Sequence, residues 1–235
     1  MSLCNTHIER LAMLQDVFGF DASQVQQGSK GWHLLKLGIL SASKADCIVA
    51  GKETAKRQEY MASLINQICT MHIEEDKQFK QLEHGKKYEA PARDLLSVEL
   101  GFVDIKEIPF MYMDESLRVG VSPDGLFDNT IIELKSPFDG TNYFRFMLFE
   151  HNKKEWALQC QFQLYATKAE RHVFAMYEPR AKLCSPLCMS ETVKDDKEQE
   201  RLANAIPEFI ADMDKSLEKL GVKFGDHFNY IKNNR

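Results

Sequence analysis

No stretch of the 235 residues approaches the run of roughly 18 apolar side chains that a membrane-spanning helix needs. The first residues, MSLCNTHIERLAML, place Glu9 and Arg10 where a secretory signal would carry its apolar core, so the expected location is the cytoplasm. The six cysteines, Cys4, Cys47, Cys69, Cys160, Cys184 and Cys188, form no CxxC pair and have no accompanying histidine pattern. That excludes a disulfide framework and a zinc ribbon, and leaves buried free thiols as the expectation. Repeats, low-complexity runs and an evident linker are also missing, so residues 1–235 are expected to form a single domain. A net charge of −5 argues against a protein that coats nucleic acid by bulk charge.

A composition of 44% hydrophobic and 28% charged residues can supply a sizeable core. Charge is unevenly spread. Lys30, Lys36, Lys44, Lys52, Lys56 and Arg57 are accompanied only by Asp46 and Glu53 in their part of the chain, whereas much of the acidity sits in SETVKDDKEQERLANAIPEFIADMDKSLEKLG near the C-terminus. A local basic surface suited to a phosphate backbone is the expectation from that asymmetry.

Helical spacing of apolar residues runs from Ile8 to Phe18 and stops at Gly19 or Asp21. Further helices are expected over Ala55 to Met71, Phe79 to Leu100, the segment KKEWALQCQFQLYATKA, and Thr192 to Leu220. Ser41 and Ser43 precede an expected helix whose first turn contains Lys44, where hydroxyls, free backbone N–H groups and lysines could cradle a phosphate. EIPFMYMD, LRVGVS, TIIELKSP and HVFAMYEP have strand character. The predicted fold class is α/β, a central mixed β-sheet flanked by helices.

The chemistry concentrates in SPDGLFDNTIIELKSP, residues 122–137. In an extended TIIELK, Glu133 and Lys135 share a face with Ile131, and Ile132 and Leu134 take the other. If LRVGVSPDG is the antiparallel neighbour, Asp124 comes close to Glu133. Two adjacent carboxylates repel each other unless a cation lies between them, and all-oxygen ligation suits Mg²⁺ or Mn²⁺. The competing interpretation is an edge strand whose charges face water. Glu89, in the helix containing HGKKYEAPARDLL, lies on the same side as Gly85, and its simplest role is to pair with Lys86 or Arg93. Glutamines inside the apolar helix around Gln161 and Gln163 need hydrogen-bond partners.

Glu89, Pro123-Asp124, Glu133-Leu134-Lys135 and Gln161-Phe-Gln-Leu-Tyr165 match in order the nuclease core written PD-(D/E)XK with its downstream QxxxY element. With WHLLKLGILSAS, MDESLRVGVSPDGL and PEFIADMDKSLEKLGVKFG, the chain resembles phage lambda exonuclease and its YqaJ-type viral recombinase relatives over most of its length. The resemblance implies an Mg²⁺-dependent exonuclease, with two ions per site and Mn²⁺ as a substitute. It would digest one strand of linear double-stranded DNA from the 5′ end to mononucleotides. It further implies a homotrimeric ring, a single-strand annealing protein as partner, and a phage or prophage origin in a bacterial host.

Carried over residue by residue, Asp124, Glu133 and the Leu134 carbonyl would hold metal, and Glu89 would assist. Lys135 would contact or activate the attacking water, and Gln161 would orient it or Lys135. Ser43, Ser122 and Lys36 would bind the terminal phosphate, with Lys36 where the family member compared has arginine. Leu82 would be the wedge that separates the end base pair. Residues 50–57 match the family loop poorly, and no DNA contact is expected there. An endonuclease or repair nuclease on the same core, or a DNA-end-binding module without catalysis, are the alternatives.

Overall fold

The computed structural model describes residues 3–72, 79–149 and 154–235. The chain opens with helices α1 (Leu3–Ala12) and α2 (Gln15–Phe18), which Gly19 ends in the left-handed conformation at φ 78°. A short α3 (Lys30–Leu35), capped by the Ser29 hydroxyl, leads into strand β1 (Leu40–Ser41). A 3₁₀ turn at Ala42–Lys44 then precedes α4 (Ala45–Ile48), so Lys44 lies in the tight turn and not in the first turn of the following α-helix. Two long helices follow, α5 (Ala55–Thr70) and α6 (Phe79–Leu100), the latter carrying Pro91 in its interior.

The strands form two sheets. In the first, β3 (Val119–Val121) lies between β1, parallel to it, and β2 (Met111–Tyr112), antiparallel. The second has the order β4 (Gly125–Phe127), β5 (Thr130–Lys135), β6 (Arg171–Tyr177), β7 (Leu187–Thr192). β5 and β6 are parallel, and their crossover carries α7 (Thr141–Phe149) and α8 (Lys154–Thr167). The chain closes with α9 (Asp196–Lys219) and α10 (Asp226–Asn233). The predicted mixed α/β class with helices around a central sheet is what forms. β7 and α10 escaped the sequence analysis, and the segment expected to be helical from Thr192 begins at Asp196, where the Asp195 side chain accepts from the Glu198 amide at 2.9 Å.

The neighbour of TIIELK also differs from expectation. Residues Val119–Val121 belong to the other sheet, and β5 pairs instead with Gly125–Phe127 through a two-residue turn at Asp128-Asn129, Asp128 having φ 48°. Gly125 starts that strand because the chain passes hard against Ile105: a Cβ there would lie 2.5 Å from the isoleucine Cγ2. The hairpin still brings Asp124 to β5, with the Asp124 amide donating to the Ile132 carbonyl at 3.0 Å.

β5 is an interior strand, which rules out charges on a solvated edge. Ile132 and Leu134 pack with Ala92 and Leu96 of α6, while Ile131 joins a core with Phe162 and Leu164 of α8. The face that carries Glu133 and Lys135 is therefore turned toward α8. α8 in turn packs on α4 and α9, and α9 buries Leu202, Ile206, Phe209, Met213 and Leu217, one stripe of its amphipathic pattern.

Two compositional expectations need correction. Of the thiols described, only Cys160 is buried, whereas Cys69 and Cys184 are exposed. The second half of the basic stretch is paired: Lys52 with Glu208 and Asp212 of α9, Arg57, buried, with Asp212 and the Ile48 carbonyl, and Lys56 with Asp46. Among the described residues, no helix is long and apolar enough to cross a membrane.

Candidate active site

Asp124 enters the site from a backbone held on three sides. Pro123 has no N–H, and its carbonyl accepts from Gln27 Nε2 at 2.9 Å; the Asp124 carbonyl accepts from Arg93 Nε at 3.0 Å. The carboxylate then reaches across the hairpin, where Oδ2 accepts the Leu134 amide at 2.6 Å. Burial, followed by the charges of Glu133 and Glu89, holds Asp124 well above the usual carboxylate range, although Lys135 and the Leu134 amide pull it down.

Glu133 is buried in the middle of the sheet, and its partners come from α8. Oε1 accepts from Gln159 Nε2 at 2.7 Å and from the Lys135 ammonium; Oε2 accepts from Gln163 Nε2 at 2.7 Å. Burial pushes this carboxyl upward, but the charge and hydrogen bonds of Lys135 and the Gln163 amide outweigh it, so the net direction is down and Glu133 is ionised. Burial alone would favour neutral Lys135, but the Glu133 and Asp124 charges overcome it and hold the ammonium form.

Glu89 approaches from α6. Its Oε1 accepts from Arg93 Nη2 at 2.6 Å, and burial raises its pKa against the pull of that guanidinium. Arg93 thus ties the Glu89 carboxylate to the Asp124 backbone, a bridging role that sequence reasoning did not assign. The i, i+4 pairing with Arg93 that the helix pattern allowed is present and is compatible with a place beside the carboxylates.

Gln161 is elsewhere. Its Nε2 donates to the Val193 carbonyl at 2.9 Å, and its Oε1 accepts from the Asp195 amide at 3.0 Å and from Gln199 Nε2 at 2.9 Å. Its amide links α8 to the start of α9, and the amides that reach Glu133 are Gln159 and Gln163. Helical geometry separates the two sets, since at 100° per residue positions 159 and 163 share a face and 161 falls nearly opposite, but the packing of α8 decides which face meets Glu133.

Two of the other residues expected to bind DNA, Lys36 and Ser122, meet at Trp32, which sequence reasoning overlooked. The Lys36 ammonium lies 3.7 Å from the centroid of the Trp32 ring, and Trp32 Nε1 donates to Ser122 Oγ at 3.0 Å and the Pro109 carbonyl at 2.9 Å. Parallel pairing of Ser41 with Gly120 places Ser43 and Ser122, each two residues further on, at the same end of β1 and β3. Ser43 is exposed, 3.4 Å from Ser41 Oγ. Burial lowers the Lys36 pKa to about 8, with Glu133 opposing. Leu82 lies on α6, and its side chain is outside those described.

Among the described residues, no three His, Cys, Asp or Glu side chains converge on a point that would cage a metal ion. A Mg²⁺-type ion needs no such cage, because it takes one or two carboxylates and fills its remaining positions with carbonyl, water or substrate oxygens. Asp124 and Glu133, with the Leu134 carbonyl, would supply an all-oxygen donor set of that kind. The upward displacement of Asp124 comes first from burial and then from the charges of Glu133 and Glu89, and a divalent cation would offset it.

The YqaJ-like viral recombinase domain matches residues 31–170, a segment that contains Lys36, Glu89, Asp124, Glu133, Lys135 and the α8 glutamines. The chain belongs to this family. In structure it is similar to LHK-Exo, an alkaline exonuclease from Laribacter hongkongensis, with a TM-score of 0.74 and 26% identity over 82% of this chain and 96% of that one. The complex of LHK-Exo with dAMP gives the same TM-score and coverage at 25% identity. A phage-related exonuclease from Haemophilus somnus 129PT shares the fold at a TM-score of 0.61 and 11% identity, over 77% of this chain and 96% of that one. ExoD of Escherichia coli K12 is 31% identical over 85 residues, 36% of this chain and 97% of ExoD. Membership in the family and the α/β nuclease-type fold agree with the resemblance seen in the sequence.

Proposed function

We propose that this protein is a metal-dependent exonuclease that degrades one strand of linear double-stranded DNA from its 5′ end, releases 5′ mononucleotides and leaves a 3′-ended single strand. The observation that carries this reading is the cluster of Asp124, Glu133 and Lys135, the last two on an interior strand with the Glu133 carboxylate buried, inside the segment matched by the family. An ionised carboxylate in the middle of a sheet is costly, and here it is retained with three donors directed at it. Similarity to an exonuclease whose complex holds dAMP, a mononucleotide of the kind such a reaction releases, supports the same reading.

Asp124 and Glu133 are assigned to Mg²⁺ or Mn²⁺, two ions per site, with the Leu134 carbonyl as a further donor. Bound there, the cations supply neutralisation of charge growing on the phosphoryl group and on the leaving oxygen, and acidify the attacking water. Lys135, kept as an ammonium by its two carboxylates, is assigned to the scissile phosphate. Glu89, fixed by Arg93, is assigned to a supporting position beside Asp124. Gln159 and Gln163 take the orienting role first given to Gln161, because the Gln161 amide is committed to the α8–α9 junction.

Lys36 and Ser122, which meet at Trp32, and Ser43 at the same end of β1 and β3 are assigned to the 5′-terminal phosphate, and Leu82 to the separation of the end base pair. A compact ammonium in place of a guanidinium keeps the charge but not the two-pronged hydrogen bond, so the preference for a phosphorylated end should be present but modest. A homotrimeric ring around the DNA would supply processivity, and a single-strand annealing protein would take up the product in the cytoplasm of a bacterial host. Residues 1–235 would act as one nuclease domain.

The deciding experiment uses purified protein with Mg²⁺ and linear duplex labelled at one 3′ end, with or without a 5′ phosphate, beside a closed circle. Ordered release of 5′ mononucleotides with the circle untouched is the expected result. Cutting of the closed circle would move the function to an endonuclease.

A further inference from the structure

His172 is a β6 residue with no solvent exposure, in register with Ile131 on β5 and Thr192 on β7. Its Nε2 lies 2.5 Å from Gln163 Oε1. The protons in this contact follow from the charge at the other end of the amide. Glu133 is ionised and can only accept, so Gln163 must turn its NH₂ toward Oε2, as the 2.7 Å contact shows. The amide oxygen then faces His172 and can only accept as well, which places the imidazole proton on Nε2. Nδ1, buried without a hydrogen-bond partner among the described residues, keeps its lone pair. Burial holds the imidazole pKa at about 4, so the ring is neutral and the tautomer is single.

A primary amide can present either end to a neighbour with nearly the same shape, and only its hydrogen bonds decide which. We propose that His172 is a positioning residue: its Nε2–H locks the Gln163 amide so that it donates to Glu133, and thereby sets the orientation of the carboxylate opposite Asp124. The proposal rests on the nuclease reading for its consequence, but not for the hydrogen-bond chain itself. Thr167 Oγ1 donates to the Gln163 carbonyl at 2.7 Å, which fixes the backbone of α8 and leaves the amide flip as the freedom His172 removes. Without that N–H, Gln163 Oε1 is a buried acceptor with no donor, and turning it toward Glu133 sets two acceptors against each other.

The test compares wild type with His172→Phe, Gln163→Leu, the double variant and His172→Gln, in single-turnover cleavage of 5′-phosphorylated linear duplex at saturating Mg²⁺. Loss of an orienting partner of this kind is expected to lower the chemical rate roughly 10–100-fold, with DNA affinity within about twofold of wild type. Since His172 acts through Gln163, the double variant should be no slower than Gln163→Leu alone, whereas an independent structural role would multiply the losses. His172→Gln, which can still present an N–H to the amide oxygen, should recover part of the rate. A His172→Phe rate within threefold of wild type, or multiplicative losses, would overturn the proposal.

A second readout needs neither metal nor substrate. The metal-free protein should show a slowly exchanging imidazole Nε2–H proton by NMR, absent in His172→Phe and shifted in Gln163→Leu. Wild type without that resonance defeats the proposal even if it cuts DNA. Wild type with the resonance but without nuclease activity instead defeats the functional reading.

Discussion

The Leu134 amide donates to Asp124 Oδ2 at 2.6 Å, so a residue before the hairpin is fastened to the strand that carries Glu133 and Lys135. The bond holds an aspartate that burial and two neighbouring carboxylates push well above its ordinary range. In the metal-free protein Asp124 therefore binds its proton more tightly folded than unfolded. Its contribution favours folding at low pH and is lost as pH rises from the ordinary aspartate range through the raised native value.

Asp124→Asn removes that unfavourable charge while keeping an oxygen for the Leu134 amide. Without metal at pH 7.5 the variant should melt higher than wild type by roughly 2–4 °C, the shift expected for about 1 kcal/mol in a chain of this size. Saturating Mg²⁺ should raise the melting temperature of wild type, and much less that of the variant, because binding to the native state alone stabilises it. Scanning calorimetry with and without EDTA measures both, and a variant that melts lower without metal would refute the assigned charge state.

Glu133→Ala should abolish cleavage of linear duplex and leave DNA binding measurable by fluorescence anisotropy. It removes a proposed metal donor and strands Lys135, Gln159 and Gln163 without their acceptor. Residual cleavage within tenfold of wild type would end the assignment.

Gln159→Leu and Gln161→Leu separate the two faces of α8. The first should lower the cleavage rate by about 10-fold or more, as loss of an orienting partner does, with a small change in melting temperature. The second removes the three side-chain hydrogen bonds that tie α8 to the Val193 carbonyl, the Asp195 amide and Gln199, so it should melt lower and keep its rate per folded molecule. Reversed effects would return Gln161 to the site.

Preference for a 5′-phosphorylated end should weaken as pH rises through about 8, where buried Lys36 loses its proton. A bound phosphate favours the ammonium, so the midpoint for phosphorylated ends should lie above that for hydroxyl ends. Lys36→Arg should remove the pH dependence and sharpen the preference. The ratio of initial rates on the two substrates between pH 7 and 9.5 reads this directly, and a flat wild-type ratio would count against Lys36 as the phosphate ligand.

Much of this protein could be read before its structure. Alternation along TIIELK placed Glu133 and Lys135 on one face, because a strand has no other periodicity, and the ordered Glu89, Pro123-Asp124 and Glu133-Leu134-Lys135 elements carried the family. The helical stripe of α9 and the Asp128-Asn129 turn were equally local. Three features needed the tertiary structure. β5 became an interior strand only through β6, about forty residues on, which buried Glu133 and left Lys135 partly exposed beside it. Lys52 and Arg57 are ion-paired with Asp212, some 155–160 residues away, so that end of the basic run faces a carboxylate. Among three closely spaced glutamines, the packing of α8 decided that 159 and 163 hold Glu133 and that 161 does not. Each of these depends on contacts between segments far apart in sequence, and chain spacing cannot specify the partner of a buried polar group.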